Sequence, residues 1–456
     1  AHSEPPTAAH SAAPAEDLVA SPVEVVTSVL AGILQRPLRA DRSFVDNGLS
    51  SLDMLRAIGE LERGLGALPK ALLFDYPDLP SLAEHLCQTY GVAAVAGLRL
   101  AADLSTLPPP TAGLIVAKRD LSRDPRVDAM VAELSRRHGL ESGLAGRDIA
   151  PTLFLDSRES GYLEFAHSGD KLLCWSYTGP ADAFERVVSE LASYAAAHSL
   201  RLNVLSAVPL RELDSRPFTA TPFGVVQHLT DLAAFSLESR KMKRLRSMVN
   251  RLADADDFSV VEYQVGGDRA IDAQLVELLD EWTAGRTAAN PYITSVRRDL
   301  ERGELARDHR VFLTRIAGAL QAVVILTRMQ AEPGYLLDVE FYKADMPQGC
   351  LDLTMVRLIE RLRDEGTKIF SFGVTFGVKV CDSPNASPTA ERELEELRAT
   401  GVLRRGNYQF KSKFRPEEIP VYLCQPASDP TSVSDVMLMI GSPAPTATPT
   451  PQPPAP

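Results

Sequence analysis

The sequence lacks several features that would place it in a familiar class of protein. Its five cysteines are scattered, without the spacing of a disulfide framework or a zinc site: Cys87, Cys174, Cys350, Cys381 and Cys424. We therefore expect reduced thiols and a cytoplasmic protein. No apolar run reaches the roughly 18 residues of a membrane span, and no signal-peptide pattern is visible, so we expect no membrane partner.

Common catalytic signatures are missing too. The sequence has no P-loop, no dinucleotide fingerprint and no G-x-S-x-G elbow, which argues against a thioesterase or a serine acyltransferase. None of His138, His167, His198, His228 and His309 belongs to a recognisable triad or ligand pair, and we expect no metal site. The formal net charge of −12 argues against DNA binding by the surface as a whole.

The length of 456 residues predicts two or three domains. Residues 1–20 are rich in Ala, Pro and Ser, residues 91–118 contain three consecutive prolines, and residues 429–456 end in a Pro/Thr tract, so we expect linkers or disordered tails there. Linkers at both ends favour a segment of a multidomain synthase with neighbouring synthase domains. The alternative is ordinary tails with an expression scar.

The most informative stretch runs from Phe44 to Leu52. Gly48 permits a turn, Ser51 follows at the predicted start of a helix, and an apolar stripe begins at helical spacing, with Leu52, Leu55, Ile58 and Leu61. A phosphate on Ser51 would lie where backbone N–H groups and the helix dipole favour negative charge. The simpler alternative is that Ser50 or Ser51 only caps the helix.

The flanking residues favour the first interpretation. A capping box starts at Ser21, the segment Leu72-Leu73-Phe74-Asp75-Tyr76-Pro77 follows the Ser51 helix, and a second capping box from Ser81 to Glu84 predicts a last helix. Residues 21–90 resemble the carrier domains of polyketide and nonribosomal peptide assembly lines. The resemblance implies a four-helix bundle, a 4'-phosphopantetheine on Ser51 and a pantetheinyl transferase as partner. Ser50 replaces the acid that usually precedes the serine.

The second region mixes strands and helices. A hairpin, a further strand, a helix and another strand are predicted between Pro151 and Leu205, and a similar order recurs between Arg310 and Val374. This order predicts two related α/β halves, 119–252 and 253–428, although no exact sequence repeat is visible.

Three stretches carry a family resemblance: Phe235 to Arg251, Leu337 to Tyr342 with the helix after Gly349, and Phe410 to Pro416. Together with Leu279-Asp280-Glu281-Trp282 they are similar to the catalytic domain of phosphatidylglycerol lysyltransferases over roughly residues 150–425. The resemblance implies a tandem GNAT-like fold that takes an aminoacyl group from aminoacyl-tRNA. Soluble relatives of that domain modify small molecules in antibiotic pathways.

Two basic sets favour a phosphate-bearing partner. Six basic residues and no acid lie between Arg240 and Arg251, and on a helix four of them share a face: Arg240, Lys243, Arg244 and Arg251. In an extended chain, Lys411, Lys413 and Arg415 would point one way, with Arg404 and Arg405 nearby. Either tRNA or coenzyme A phosphates would suit these cations. The alternative is a solvated helix face.

Asp338 and Glu340 are the candidate catalytic acids. Strand alternation predicts that they share one face, opposite Leu337, Val339 and Phe341. Either carboxylate suits a general base or an anchor for the donor's α-ammonium group. In the family the stretch reads D-L-M-R-Y, so Asp338 matches its acid. Phe341 replaces its arginine, which predicts a changed pocket. The alternative is surface charge on an edge strand.

Together these observations predict a carrier that presents its cargo to a tandem GNAT-like transferase. If residues 91–118 are flexible, their root-mean-square reach of about 30 Å lets the arm visit that transferase. Two alternatives stay open. The transferase could use acyl-CoA or a carrier thioester as donor, or it could be a non-catalytic docking module.

Overall fold

The computed structural model describes residues 21–34, 37–49, 51–66, 68–96, 98, 107–139, 143–253, 257–284, 292–305, 309–399, 403, 405–428 and 431–441. The chain divides into two compact units, residues 1–100 and 101–456. Each unit is described by itself. No helix among the described residues is long and apolar enough to cross a membrane.

The first unit is helical. Its elements are α1 (Pro22–Leu34), α2 (Ser51–Leu65), α3 (Leu72–Asp75), α4 (Leu79–Tyr90) and α5 (Val92–Ala96). They share one apolar core, in which Leu30, Ile58, Leu61 and Leu86 are fully buried. These four side chains contribute several kcal/mol together, at roughly 1.5–3 kcal/mol for each buried side chain.

Two helix starts in this unit show how the sequence sets its boundaries. The Ser21 hydroxyl accepts from the Glu24 amide at 3.3 Å, and the Glu24 carboxylate accepts from the Ser21 amide at 2.8 Å, as the capping box predicts. The second predicted box is wrong. α4 begins earlier, because Asp78 is its N-cap and accepts from the Ser81 amide at 2.8 Å.

The second unit contains a large mixed sheet. Its strands are β1 (Leu114–Ala117), β2 (Thr152–Leu155), β3 (Tyr162–Ser168), β4 (Lys171–Thr178), β5 (Arg201–Ser206), β6 (Glu212–Leu213), β7 (Arg216–Leu229), β8 (Phe258–Tyr263), β9 (His309–Ile316), β10 (Ala319–Arg328), β11 (Gly334–Tyr342), β12 (Ile369–Phe376) and β13 (Glu417–Pro426). Its helices are α6 (Pro125–His138), α7 (Gly143–Ile149), α8 (Phe184–Ala197), α9 (Lys243–Ala253), α10 (Arg269–Ala284), α11 (Tyr292–Arg302), α12 (Cys350–Asp364), α13 (Pro388–Ala399), α14 (Gly406–Ser412) and α15 (Val433–Ile440).

The sheet order repeats one motif in two halves. Within the described residues the order is β1-β2-β3-β4-β5-β13-β7-β12-β11-β10-β9-β8, with β6 paired to β7. Antiparallel strands β2, β3 and β4 lead through α8 to β5, which is parallel to β4. In the same way β9, β10 and β11 lead through α12 to the parallel strand β12. The predicted order of elements therefore occurs twice.

The two halves share elements across the predicted boundary at residue 252. β13, from near the chain end, pairs with β5 and with β7 at the centre of the sheet. α9, which precedes the cut, packs against α12 in one apolar cluster with Leu245, Val249 and Leu353. Each half thus depends on elements from the other side of the cut.

Two predicted linkers contain regular structure. Within residues 91–118, α5 places Val95 in the core of the first unit, and β1 pairs antiparallel with β2 at the edge of the sheet. Within residues 429–456, α15 buries Val433 and Val436 completely. In both ranges a short apolar segment packs on a neighbouring core, next to the Pro-rich residues that dominate the composition. Residues 1–20, 99–106 and 442–456 lie outside the described residues.

Candidate functional site

The loop before α2 is held rigidly from within the first unit. Phe44 and Leu49 are buried, and the Leu49 amide donates to the Phe44 carbonyl at 2.9 Å. The Asn47 side chain accepts from the Arg39 amide and donates to its carbonyl. Gly48 has a φ of +75°, a conformation that glycine adopts without strain.

The backbone of Ser51 opens the 15-residue helix α2, as the sequence predicts, whereas Ser50 lies outside the described residues. The first amides of a helix have no partner within the helix, and its dipole favours an anion there. The position of Ser51 therefore fits a covalently bound phosphate.

The second candidate site is the part of the sheet where β11 and β12 are neighbours without being paired, here called the β11–β12 cleft. These parallel strands pair only from Gly334–Ile369 to Leu336–Ser371, although they continue to Tyr342 and Phe376. α12, which connects them, begins at Cys350, eight residues after the end of β11. Backbone groups that are left out of the pairing between two strands are available to a bound molecule.

Asp338 lies at an irregularity of β11 beside this cleft. Leu337 lies opposite Leu326 of β10 and Val339 lies opposite Ile325, so Asp338 is the extra residue of a β-bulge. The Asp338 carboxylate accepts a hydrogen bond from the Thr327 hydroxyl. The side chain is half-buried. A bulge often redirects one side chain, and here it fixes the acid that the sequence singled out.

The bulge overturns the predicted alternation. Leu337 packs in the cluster under α12, whereas Val339 and Phe341 pack in the cluster under α10 and α11. Glu340 lies opposite Val324, which belongs to the cluster under α12, so Glu340 is on that face of the sheet. Asp338 instead bonds Thr327, the residue after Leu326. Leu326 also belongs to the cluster under α12, so strand alternation places Thr327 on the other face. The two acids therefore do not share the face that simple alternation predicts.

Phe341 also needs a correction. Its side chain is fully buried among the apolar residues under α10, including Leu275 and Leu279. The replacement of the family arginine by phenylalanine therefore lies in the core of this chain. It is not a change in the wall of an open pocket.

The first half carries a matching bulge with a different residue. Glu164 lies opposite Ser176 and Phe165 opposite Cys174, so Trp175 is the extra residue of β4. The parallel pairing of β4 with β5 begins at Lys171, and Trp175 lies four positions later. The parallel pairing of β11 with β12 begins at Gly334, and Asp338 lies four positions later. The two halves thus place tryptophan and aspartate at equivalent positions. The sequence did not reveal this, because the match depends on two bulges and on where the parallel pairing of each strand begins.

The first basic set is on the surface, as predicted. Arg240 lies in a 3-10 turn, and Lys243, Arg244 and Arg251 lie on α9, all of them exposed. Leu245 and Val249 on the other face are buried. Within the described residues Arg240, Lys243 and Arg244 have no acidic partner, so their charge is available to a ligand.

The second basic set differs from the prediction. Gln409 to Ser412 belong to helix α14, so the expected extended edge is wrong. Lys411 is 7% exposed and donates to the Thr375 hydroxyl at 3.2 Å and the Val374 carbonyl at 3.4 Å. Lys411 therefore ties α14 to β12. Arg405 and Arg415 are exposed, and Arg404 lies outside the described residues.

Lys413 meets an acid that the sequence analysis missed. Its ammonium lies 2.7 Å from the carboxylate of Asp352 in the first turn of α12, and 4.9 Å from the centre of the Phe410 ring. Asp352 is almost fully buried. The sequence does contain a signal for Asp352, because it lies in the first turn of a predicted helix, where acids stabilise helices.

The two basic sets meet at the start of α12. The Arg251 guanidinium donates to the Gln348 side chain at 3.2 Å, four residues before Asp352. Gly349, the N-cap, has a φ of +90°, and a Cβ there would lie 2.8 Å from the Met248 carbonyl oxygen. Glycine is required for α9 to approach α12 so closely. Cations from α9 and from the Phe410–Pro416 element therefore lie beside the start of α12, the helix that connects β11 and β12.

The three buried cysteines offer no competing nucleophile. All five are free, and Cys174, Cys350 and Cys424 are buried. Burial raises the pKa of Cys350 to about 11 and that of Cys424 to about 12, so both are neutral thiols near pH 7. Across the described residues no group of three or more His, Cys, Asp or Glu side chains is arranged to hold a metal ion.

In a comparison with known proteins, each of the two units matches a family model. The family model "Phosphatidylglycerol lysyltransferase, C-terminal" matches residues 154–425, more than half of the chain. The chain belongs to this family. The model "Phosphopantetheine attachment site" matches residues 24–86 of the first unit, which indicates a covalently attached 4'-phosphopantetheine. No curated protein matches the sequence.

Solved structures agree on the fold of the second unit. One is the C-terminal domain of a protein assigned as a lysylphosphatidylglycerol synthetase in Agrobacterium fabrum, with 18% identity, a TM-score of 0.53, and coverage of 71% of this chain and 95% of that one. Another is L-PGS from Bacillus licheniformis, with 17% identity, a TM-score of 0.52, and coverage of 69% and 95%. An α/β unit with a large mixed sheet thus follows the unit with the phosphopantetheine attachment site.

Proposed function

We propose that this chain transfers an aminoacyl group from aminoacyl-tRNA to a cargo that the carrier unit presents on Ser51. The observation that carries the proposal is the fusion itself. A phosphopantetheine attachment domain precedes a lysyltransferase-type domain in which Asp338 lies at a bulge of β11 and cations lie beside the start of α12. We further propose that α1 to α4 of the first unit form a four-helix carrier bundle and that the chain serves natural-product biosynthesis.

The bound cofactor would supply a thiol that holds the cargo as a thioester on a movable arm. The residues that fit this group are the amides at the start of α2 and the serine itself. Ser51 therefore anchors the arm, and the rigid loop from Phe44 to Leu49 fixes where the arm begins. Attachment of the arm to Ser51 requires no rearrangement of the helices of the first unit.

Asp338 is proposed as the general base. It accepts a proton from the cargo amine or hydroxyl as that group attacks the ester carbonyl of the aminoacyl-tRNA. An amide or ester bond forms, the bond to the terminal ribose oxygen breaks, and the proton passes to that oxygen. Glu340 does not share the face of Asp338 and is given no role in this step. The tRNA ester is already activated, so positioning supplies much of the rate.

The cations are proposed to hold the tRNA phosphates. Arg240, Lys243, Arg244 and Arg251 form an exposed group on α9 and the turn before it, and Lys413 and Arg415 add a second group. Lys411 contributes through structure, because it is buried against β12. Such contacts are weakened steeply by salt.

Intact mass spectrometry of the full chain tests the proposal. A promiscuous pantetheinyl transferase should add the mass of one phosphopantetheine to the wild type and none to Ser51→Ala. After loading with a model cargo, a charged total tRNA pool should add one aminoacyl residue to the arm. Modification that persists in Ser51→Ala contradicts the attachment site. Product formed with acyl-CoA and not with tRNA would assign the conventional donor, and no product with either would favour a docking role.

A further inference from the structure

The described strand order of the second unit ends at β8, which leaves one edge of the sheet without a neighbouring strand. β8 pairs with β9 along its whole length and without an irregularity. The Asp257 carbonyl accepts from the Ala317 amide at 3.3 Å, and successive pairs of an antiparallel ladder alternate between bonded and non-bonded. Phe258, Val260 and Glu262 therefore direct their amide and carbonyl groups away from β9.

This edge lacks the features that usually protect an outer strand. Among the described residues, no backbone hydrogen bond from another segment reaches Phe258, Val260 or Glu262. Native sheets commonly protect such an edge with lysine, proline or a bulge. β8 contains none of these, and the side chain of Val261 is 48% exposed. The strand at the other edge, β1, has only four residues. β8 is thus the edge that offers the longer template for another strand.

The sequence of β8 fits a second copy of itself in one antiparallel register. With Val261 opposite Val261 of the second copy, the two exposed side chains cover each other, Val260 lies opposite Glu262, and Ser259 lies opposite Tyr263. No charged side chain of the strand then faces a like charge. Centring the pair on Val260 would cover Val261 only with a serine, and centring it on Glu262 would oppose two carboxylates. The register centred on Val261 is therefore favoured over these two.

We propose that two copies of this chain associate through β8, antiparallel about a two-fold axis at Val261. Val260 and Glu262 of one copy would exchange main-chain hydrogen bonds with Glu262 and Val260 of the other, two bonds for each of two pairs. The Glu262 carboxylate is already paired with Arg310 and Arg361 of its own copy. A two-fold contact uses the same surface on both copies, so assembly stops at the dimer. Six residues on each side make a small interface, so we expect weak, micromolar association.

Disulfide trapping in the full chain tests the register. In a non-bonded antiparallel pair the two Cα atoms lie about 4.5 Å apart, which is within the range of a disulfide. Val261→Cys should therefore form a covalent dimer under mild oxidation, several-fold more than wild type does. Ser259→Cys is the matched control, because Ser259 is exposed on the same strand but lies opposite Tyr263 in this register. Peptide mapping separates the new disulfide from bonds of the native cysteines. Equal trapping in the two variants, or no excess over wild type, overturns the inference.

Sedimentation velocity of the full chain tests the association itself. The wild type should change from monomer to dimer between about 1 and 100 µM, as expected for a small interface. Val261→Lys should stay monomeric, because it places two ammonium groups opposite each other. Val208→Lys is the control, since Val208 is 61% exposed outside β8, and it should dimerise like wild type.

Three results of this experiment would contradict the dimer: a monomeric wild type, a Val261→Lys variant that still dimerises, or growth beyond the dimer. The measurement contains no donor and no cargo. Its outcome is therefore independent of the proposed function.

Discussion

At the scale of single residues, Asp338 is fixed by a bulge and a hydroxyl group. The extra residue in β11 redirects its carboxylate, and Thr327 donates a hydrogen bond to it. We expect Asp338→Asn to lower the rate of transfer about 10²–10⁴-fold, the usual cost of losing a general base. Because asparagine keeps the shape and can still accept from Thr327, the melting temperature should stay within a few degrees. Single-turnover kinetics and thermal unfolding measure the two effects.

Glu340→Gln provides the comparison for this prediction. Because Glu340 does not share the face of Asp338, its loss should lower the rate of transfer less than the loss of Asp338 does. Full activity in Asp338→Asn would remove the aspartate from the mechanism. Unfolding of that variant would instead show that the bulge needs the carboxylate for stability.

At the scale of elements, α9 is the clearest test of the donor. Lys243 and Arg244 are exposed and, within the described part of the chain, have no acidic partner. We expect Lys243→Glu with Arg244→Glu to abolish tRNA binding at low salt, because reversal converts attraction to phosphate into repulsion. In the wild type, log affinity should fall with log salt by about 0.7–0.9 for each phosphate contact. Filter binding with uncharged total tRNA measures both.

The control for α9 is an equal change of charge on another helix. Arg298→Glu with Arg302→Glu alters two exposed arginines of α11 and shifts the net charge by the same amount. This variant should keep most of the wild-type affinity. Equal loss in both pairs would mean that net charge decides binding, and intact binding in the α9 pair would favour a donor other than tRNA.

Elements also show how far the sequence could lead. The capping box at Ser21 and the loop before Ser51 are local signals, and both predictions agree with the structure. The Phe410–Pro416 element was predicted as extended because its charged and aromatic residues alternate. It forms the short helix α14, since Phe414 packs against Phe372 and Lys411 bonds β12. The alternation of residue types over seven residues is a local pattern, and a local pattern cannot reveal such tertiary contacts.

At the scale of the whole molecule, the order of elements was predictable and their pairing was not. Hydrophobic patterns gave both hairpin-strand-helix-strand series, whose members are close in sequence. β13 pairs with β5 across more than 200 residues, and no local pattern encodes that partner. The same holds for the match between Trp175 and Asp338, which depends on two bulges. Long-range register, and the site features that depend on it, required the structure.

An ion network that joins three elements makes the stability of the second unit sensitive to acid. Arg310 of β9 contacts Glu262 of β8 and Glu365 after α12 at 2.7–2.8 Å, and its guanidinium lies 5.1 Å from the centre of the Phe312 ring. The hydrogen bond from Arg310 is the main reason that the pKa of Glu262 and that of Glu365 lie below their usual range. Both carboxylates are stabilised in the ionised form by folding.

The sign of the pH effect follows from these lowered values. A carboxylate whose pKa is lower in the folded state stabilises the fold above its unfolded pKa and loses this effect as pH falls through its folded pKa. We therefore expect Glu262→Gln to lower the melting temperature at pH 7 and the difference from wild type to shrink below about pH 4.5. Tryptophan fluorescence reports the second unit alone, because Trp175 and Trp282 are the only tryptophans of the chain. Glu395→Gln, which alters an exposed carboxylate that pairs with Arg398, is the control and should change little at either pH. A difference that stays constant down to pH 3 would show that Glu262 acts through packing and not through its charge.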